Sequence, residues 1–355
     1  MLGKFEKSIL LAASASVLSL VALAAFDPPK PDTERPRAIL DGNQKARPVE
    51  ASAGLAGTLS FQRSGATGDP VEKILGARGS DQLSKTSQLQ SHTAENLNDT
   101  FDQLGYDLQA VTKEGVGVPR IFLATLPSDM AKVGQAEKRK AIFVRSILPL
   151  VLQINEEISA DRERLWRLHV KVRSGQVVSA VDRLWLLVLS ERYKMKGGDI
   201  AELLMRVDIV PPSLALAQSA EESGWGTSRF SRQGNAIFGE WTFNSAEGLI
   251  PAEREVGKTH SVKVFKTLLD SVRAYARNLN SHRAYREFRA KRHVLRSQGA
   301  LIRGKNLVDT LRRYSERGVG YVKTLRSIII INKLDRLDGA KLIASAQTNF
   351  ARSAI

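Results

Sequence analysis

The sequence predicts a mainly α-helical fold with one small β lobe, preceded by a disordered N-terminal segment. Apolar residues recur at helical spacing in 97–108 and again through 131–157. Residues 260–265 instead alternate between apolar and polar side chains, which is the period of a β-strand. Residues 27–95 are rich in Gly, Ser, Pro and Gln and show no sustained apolar period, so we expect a flexible spacer there.

The first 25 residues have the features of a targeting segment. Lys4 and Lys7 form a basic start, and a charge-free apolar run of 17 residues follows from Ile9 to Ala25. Ala22-Leu23-Ala24 is a candidate cleavage site. We expect residues 1–25 to be a secretory signal or an uncleaved membrane anchor, which places the protein in the periplasm or cell envelope. Residues 26–96 would form the linker that follows.

The composition excludes cysteine chemistry and indicates an anionic partner. The chain of 355 residues contains no cysteine, which excludes disulfides, thiolate catalysis and lipid attachment through a lipobox. Residues 258–355 hold 22 Lys/Arg and 6 Asp/Glu, so this last part accounts for the whole net charge of +16. Such a field favours nucleic acid, anionic lipid or an acidic wall polymer, unless it is a basic surface without a fixed partner. Export argues against nucleic acid as the partner. The sequence does not determine the oligomeric state.

The predicted N-terminal helical region spans residues 97–206 and is expected to pack on a catalytic domain. The long helix at 131–157 must be kinked or restarted at Pro149, because proline lacks the N–H of a helical hydrogen bond. Ser179 is the expected N-cap of a helix over 180–194. Lys196-Gly197-Gly198-Asp199 would close that helix and cap the next one, at 199–206.

The predicted catalytic domain spans residues 207–337 and is followed by a tail at 338–355. A helix begins at Ser213 and is rich in small residues, so other helices can approach it closely; Ser223-Gly224 ends it. The β lobe follows at 240–266. Helices then resume, with predicted bounds 268–281, 283–297, 305–315 and 318–337.

Two adjacent acids, Glu221 and Glu222, lie in the last turn of this small-residue helix. A carboxylate there faces the negative end of the helix dipole, and burial against Trp225 would disfavour its charge further. Both effects raise the pKa, which is what a general acid that protonates a leaving oxygen requires. Neighbours on a helix point about 100° apart, so the two acids do not form a paired-carboxylate site.

The motif around Glu222 resembles a known family. Glu222-Ser223-Gly224-Trp225-Gly226, followed by Gly-Asn-Ala-Ile-Phe-Gly at 234–239, is similar to the signature of the glucosaminidase domain of bacterial peptidoglycan hydrolases, in particular the Bax subgroup. The resemblance extends over about residues 97–335. It implies a lysozyme-like fold, peptidoglycan glycan strands as substrate, and cleavage of the β-1,4 bond after N-acetylglucosamine with Glu222 as the catalytic acid.

The same resemblance suggests the other site residues. Glu221 would be a solvated neighbour of the acid. A second carboxylate is expected from the β lobe, where Glu247, Glu253 and Glu255 are candidates and Glu255 is slightly favoured. The substrate-binding assignments, of which Phe238 is also a packing candidate, are Trp225, Asn235, Phe238, Tyr314 and Tyr321. Asn278 and His282, four residues apart on one predicted helix, are weaker candidates for the cleft. Tyr275 and Tyr285 are expected to be packing residues with a polar tip.

Two other functions remain open from the sequence. A lytic transglycosylase uses a similar Glu-Ser start on the same fold, but Ile237-Phe238-Gly239-Glu240 replaces the Gly-Leu-Met-Gln element usual in that family. A non-catalytic protein that binds the cell wall is the other alternative. The five histidines show no HExxH spacing, and no phosphate loop is present, so we expect neither a metal nor a cofactor.

Overall fold

The computed structural model describes residues 93–195, 199–242, 248–249 and 261–344. The described residues form a mainly helical fold with a small antiparallel sheet, which confirms the predicted fold class. The targeting segment and nearly all of the predicted spacer lie outside these residues. Among the described helices, none combines the length and the apolar character that a bilayer crossing requires.

The chain orders its elements as helices, then a short sheet, then helices again. The helices of the first part are α1 Ala94–Gln103, α2 Leu108–Lys113, α3 Ala136–Arg173, α4 Ala180–Arg192, α5 Ile200–Arg206, α6 Pro212–Ser223 and α7 Arg229–Gly234. The strands are β1 Trp241–Thr242, β2 Gly248–Leu249 and β3 Ser261–Lys263. The last part holds α8 Leu268–Ser281, α9 Arg286–Ser297, α10 Gly304–Leu307 and α11 Val319–Ile331. Short 3₁₀ turns lie at Met130–Lys132, Arg283–Tyr285, Val308–Leu311 and Leu334–Leu337.

Helix α3 runs through Pro149 without a break, so of the two outcomes predicted there, a kink or a restart, the restart is wrong. It is a single helix of 38 residues that includes the charged stretch 161–171. Every side chain from Ile142 to Leu152 is buried, so the packing of this segment outweighs the one helical hydrogen bond that proline removes. The long helix therefore becomes the frame on which α6 and α8 pack.

The predicted caps of α4 and α5 are confirmed. The Ser179 hydroxyl accepts a hydrogen bond from Asp182 N at 3.1 Å, and Asp199 Oδ1 accepts one from Ala201 N at 2.8 Å. Both satisfy backbone donors that the first turn of a helix leaves without a partner.

The β lobe is a three-stranded antiparallel sheet in the order β1-β3-β2. Trp241 lies opposite Val262 in one pair, and Leu249 lies opposite Val262 in the other. The strand predicted at 260–265 is thus the central one.

Helix α6, which carries the glutamate pair, is the buried centre of the fold. All its residues from Pro212 to Ala220 are buried, and it packs against α3, α10 and α11. Its first turn is held by Asp338, which accepts hydrogen bonds from Ser213 N at 2.9 Å and Ser213 Oγ at 2.8 Å. Its small side chains permit this close packing, as the sequence predicts.

One hydrophobic core extends from Ala94 to Leu342. The predicted boundary at 206/207 is crossed by Arg292, which is fully buried and donates hydrogen bonds to the carbonyl oxygens of Met205 at 3.1 Å and Arg206 at 3.3 Å. The start of the predicted tail also belongs to this body, because Val118 N donates to Lys341 O at 2.8 Å.

Candidate active site

The Ser-Gly-Trp-Gly motif forms a tight reversal at the end of α6. Gly224, Trp225 and Gly226 all have positive φ, at 57°, 57° and 79°. The Ser223 hydroxyl holds this turn, since it donates to Ser219 O at 2.5 Å and accepts from Gly226 N at 2.9 Å. Gly224 is therefore the left-handed cap that the sequence predicts, and the chain turns away immediately after Glu222.

The Glu222 carboxyl lies in a dense protein environment with part of its side chain open to solvent. Burial raises its pKa to about 7, and the neighbouring charge of Glu221 acts in the same direction. A hydrogen bond from the Tyr321 hydroxyl to Oε1, at 2.8 Å, and the charge of Arg317 both oppose this shift. The group is thus held near the point at which it can give up a proton at neutral pH.

A chain of hydrogen bonds orients this carboxyl. The Tyr275 hydroxyl donates to Gln218 Oε1 at 2.7 Å, and Gln218 Nε2 donates to the Tyr321 hydroxyl at 3.1 Å. The Tyr321 hydroxyl in turn donates to Glu222 Oε1. Gln218 is completely buried, so it is fixed one turn before the acid on the same helix. Tyr275, which the sequence suggests as a packing residue, is therefore also the first donor of this chain.

Stacked aromatic rings support the chain. Tyr314 and Tyr321 are parallel, with ring centroids 5.5 Å apart, and Tyr285 lies 5.9 Å from Tyr314. Phe238 stacks on Tyr275 at 3.8 Å, and its carbonyl oxygen accepts a hydrogen bond from the Tyr314 hydroxyl at 3.2 Å. The two tyrosines assigned to the site by resemblance are thus brought beside Glu222.

Glu221 is not the solvated neighbour that the sequence suggests. Its side chain is 21% exposed and forms an ion pair with Arg317, with 2.6 Å between Oε1 and Nη2. Arg317 comes from the turn just before α11, and its guanidinium also lies 5.5 Å from the centroid of the Tyr321 ring. The ion pair joins the end of α6 to the element that carries Tyr321, a tertiary contact with no signal in the local sequence.

Trp225 points to a different side of the turn from the tyrosines. Its ring meets that of Phe143 edge-to-face, with centroids 5.8 Å apart, and Lys140 Nζ lies 5.5 Å from its centroid. The ring is partly buried and packs against the hydrophobic core. Its role in substrate binding stays a prediction.

The Gly-Asn-Ala-Ile-Phe-Gly segment brings the backbone up to the acid. Asn235 has a positive φ of 51°, and its Nδ2 donates to the carbonyl oxygens of Phe265 at 3.1 Å and Lys266 at 3.2 Å. Asn235 and Phe238 are both buried, so both support the wall of the site from inside. Gly239 also has a positive φ, and a Cβ at this position would lie 3.6 Å from Glu222 Oε2.

Glu240, one residue later, is a second acidic side chain of the site and is not among the predicted site residues. Its Oε1 is buried and accepts no hydrogen bond from the described residues. Burial raises its pKa to about 7, against the opposing charges of Lys263, Arg277 and Lys194. The signal that could have identified it is an isolated acid directly after the Ile237-Phe238-Gly239 segment of the motif.

Both acids act on the same tyrosines. Burial raises the pKa of Tyr285 and Tyr314, and the charges of Glu222 and Glu240 raise it further in each case. The charges of Glu222 and Glu240 therefore both act on Tyr285 and Tyr314.

The remaining predicted residues divide into two groups. Glu247, Glu253 and Glu255 lie outside the described residues. A hydrogen bond with Asn278 lowers the pKa of Tyr285, against the larger effect of burial. His282 Nδ1 accepts a hydrogen bond from Ala284 N at 3.3 Å. Burial, followed by the charge of Lys194, lowers the pKa of His282. Within the described ranges, no three His, Asp or Glu side chains are grouped so that they could bind a metal ion.

This arrangement can supply a proton from a buried carboxyl and hold that carboxyl in one orientation.

Comparison with known proteins gives two matches. The sequence model of a family described as glucosaminidase, mannosyl-glycoprotein endo-beta-N-acetylglucosaminidase, matches residues 198–334. Protein bax of Escherichia coli (strain K12) is 34% identical over 204 residues, which cover 56% of this chain and 71% of that protein.

The chain belongs to the bacterial Bax and glucosaminidase family. The matched part includes the whole site, from α5 to the turn after α11. No solved structure matches the chain. Membership of the Bax and glucosaminidase family supports a function as a glycosidase related to peptidoglycan.

Proposed function

We propose that this protein hydrolyses the β-1,4 glycosidic bond after N-acetylglucosamine in peptidoglycan, with Glu222 as the general acid. The observation that carries the proposal is the Glu222 carboxyl, whose pKa is raised to about 7 beside a wall of tyrosines. Breaking a glycosidic bond requires protonation of the leaving oxygen, and an acid with this pKa is still about half protonated at neutral pH.

In the proposed reaction the proton of Glu222 passes to the glycosidic oxygen as its bond to the anomeric carbon breaks. A water molecule then adds to that carbon and gives up one proton, which restores the acid. The Tyr321 hydroxyl fixes one carboxyl oxygen, Oε1, so Oε2 remains for the substrate. Because Gly239 has no side chain, its backbone passes close to Oε2 without covering it.

Glu240 is our proposed second carboxylate among the described residues. Its charge acts on the same tyrosines as that of Glu222, and no described donor occupies its buried Oε1. In its ionised form it would stabilise positive charge at the anomeric carbon or accept a proton from the attacking water. The β-lobe candidates Glu247, Glu253 and Glu255 remain proposals for the same role, as does the N-acetyl group of the substrate.

The decisive experiment compares two isosteric changes at adjacent positions. Purified cell-wall material is digested with the wild type, Glu222→Gln and Glu221→Gln, and the products are identified by mass spectrometry. We expect Glu222→Gln to lose at least about a thousandfold of the lytic rate while it still binds the wall, and Glu221→Gln to stay active. Unchanged lysis by Glu222→Gln would refute the assignment and favour a protein that only binds the wall.

The chemical nature of the new ends separates the two enzymatic alternatives. Products with a reducing N-acetylglucosamine end support hydrolysis. A 1,6-anhydro sugar end would instead show that the protein is a lytic transglycosylase, in which no water is added to the broken bond. The same digest with Glu240→Gln tests the second carboxylate: we expect a lower kcat with little change in KM.

We further propose export to the periplasm or cell envelope, based on the basic and apolar character of residues 1–25. Cell fractionation with N-terminal sequencing of the purified protein tests this and shows whether the segment is removed. Recovery of the whole protein from the cytoplasm would contradict it.

A further inference from the structure

Helix α4 carries apolar side chains on the side that faces solvent. Val177, just before the helix, is 90% exposed, and Val181, Leu184 and Leu187 are 72%, 63% and 65% exposed. The three helical residues recur every third position and so share one side of α4. We call these four residues the apolar face.

The opposite side of α4 is already packed. Asp182 forms an ion pair of 2.8 Å with Arg164 of α3, and the guanidinium of Arg164 lies 4.4 Å from the centroid of the Trp185 ring. Leu189 is buried in the core. The apolar face is therefore not the inward side of an amphipathic helix, and α4 is apolar on both sides. Helices of this kind are normally covered on both sides.

The end of α3 extends the exposed apolar surface of this hairpin. Trp166, Val170 and Val172 are 55%, 50% and 48% exposed. Single exposed apolar residues are common in soluble proteins, but seven large ones within residues 166–187 mark an interaction surface.

The charges of the hairpin are mostly positive. Residues 166–192 contain five basic side chains, Arg167, Lys171, Arg173, Arg183 and Arg192, and two acids, Asp182 and Glu191. Asp182 is already paired with Arg164, while Arg167 and Arg192 are paired with Glu163 and Asp161 of α3. Lys171, Arg173 and Arg183 are exposed. Aliphatic side chains with an exposed tryptophan and surrounding cations are the composition that suits the headgroup region of an anionic bilayer.

We propose that the hairpin formed by the end of α3 and by α4 docks on an anionic lipid bilayer, with the apolar face inserted at the level of the headgroups. Charge complementarity favours lipid over a second copy of the chain, because a symmetric contact would bring the same cations together. The apolar run from Ile9 to Ala25 would keep the protein near such a surface. This inference does not depend on the proposed enzymatic activity.

The absence of cysteine makes a direct test simple, since one introduced cysteine is the sole labelling site. Val181→Cys carries an environment-sensitive fluorophore, and Ile331→Cys, at a residue of α11 that is 71% exposed, is the matched control. Each full-length labelled protein is mixed with vesicles of phosphatidylcholine, with or without phosphatidylglycerol. We expect a blue shift at position 181 with phosphatidylglycerol vesicles and none at position 331.

This comparison separates the hairpin from the N-terminal segment, which is present in both proteins and would bring both to the vesicles. A label at position 181 that stays in water on vesicle-bound protein would overturn the proposal. A blue shift that appears without vesicles and grows with protein concentration would also overturn it, because a second copy would then cover the face.

Two sets of substitutions test the two parts of the surface. Leu184→Ser with Leu187→Ser should weaken insertion of the label at position 181 about tenfold or more, through loss of apolar contact. Gln at Lys171, Arg173 and Arg183 should remove most of the preference for phosphatidylglycerol. Gln at three exposed basic residues of the C-terminal part, Arg286, Lys291 and Arg312, should preserve that preference. If both triple variants behave alike, the attraction comes from net charge and the assigned surface is wrong.

Discussion

At the level of single residues, the environment of the Glu222 carboxyl determines what the site can do. Burial favours its neutral form, while the Tyr321 hydroxyl and Arg317 favour its ionised form. The balance places its pKa at about 7. Each neighbour can be changed separately, so the balance can be tested from both directions.

We predict that activity falls as the pH rises through about 7, because Glu222 loses the proton it must donate. Tyr321→Phe removes a hydrogen bond to the ionised form, which raises the pKa and moves this limb to higher pH, with a lower maximum rate. Glu221→Gln removes a nearby negative charge, which lowers the pKa and moves the limb to lower pH. Profiles of kcat/KM against pH for the three proteins give the measurement, and shifts in the same direction for both variants would contradict the assignment.

The raised pKa of Glu222 makes the folded protein less stable at high pH. The pKa of Glu222 is about 7 in the folded protein, against 4.5 for an unperturbed glutamate, so the folded form binds this proton more tightly. Its contribution is fully present below pH 4.5 and is lost as the pH rises to about 7. We predict that Glu222→Gln is more stable than the wild type at pH 8, on the order of 2 kcal/mol, and nearly equal to it at pH 4.5. Urea unfolding at both pH values tests this; a gain that is independent of pH would indicate another cause.

At the level of elements, α6 is placed by contacts at both of its ends. Its start has Pro211 as N-cap with no side-chain hydrogen bond, and Asp338 accepts the Ser213 N–H in its place. Asp338 Oδ2 also accepts a hydrogen bond from Gly304 N at 2.9 Å, which joins α10 to the same point. The ion pair of Glu221 with Arg317 holds the other end.

We predict that Asp338→Ala destabilises the fold by about 2–3 kcal/mol, because three buried donors lose their acceptor. Asp335→Ala is the matched control on the adjacent turn. Asp335 is 31% exposed and lies 4.0 Å from Lys305 Nζ, a surface pair that contributes little. Denaturant midpoints of both variants provide the measurement, and equal midpoints would show that Asp338 does not anchor α6.

The sequence predicts most helices because their signals are local. Ser179, Asp199 and Gly224 work within one turn of chain, and all three act as predicted. It leaves Pro149 open between a kink and a restart, because continuity of the helix depends on burial of the residues around it, which no local signal reports. The predicted helix at 305–315 is wrong, since the chain forms two short pieces there, α10 and a 3₁₀ turn.

At the level of the whole molecule, a cluster of ion pairs around a buried aspartate joins residues on both sides of the predicted boundary between the two helical regions. Asp208 is 2% exposed and forms ion pairs with Arg296, Arg162 and Arg292. Burial alone would raise its pKa, but the charges of these arginines lower it. Arg292 also binds the main chain on both sides of residue 207.

We predict that the described body unfolds in one cooperative step, and that Arg292→Met lowers its stability by about 3–5 kcal/mol, since the change leaves buried acceptors without a donor. Arg286→Met, an exposed position on the same helix, should change the stability by less than about 0.5 kcal/mol. Differential scanning calorimetry measures both. Two separate transitions, of which Arg292→Met moves one, would show that the parts before and after residue 206 are independent domains.

The sequence by itself determined the mainly helical class, the caps, the motif around Glu222 and the family to which the chain belongs. These features depend on short-range spacing or on a contiguous string of residues. Only the tertiary structure decided that Glu221 is bound by Arg317 and that Tyr275 acts on Glu222 through Gln218 and Tyr321. It also decided that the charge of Glu240 acts on the same tyrosines as that of Glu222, and that α4 leaves apolar residues in solvent. The physical reason is that burial, and the pKa that follows from it, is set by residues distant in the chain.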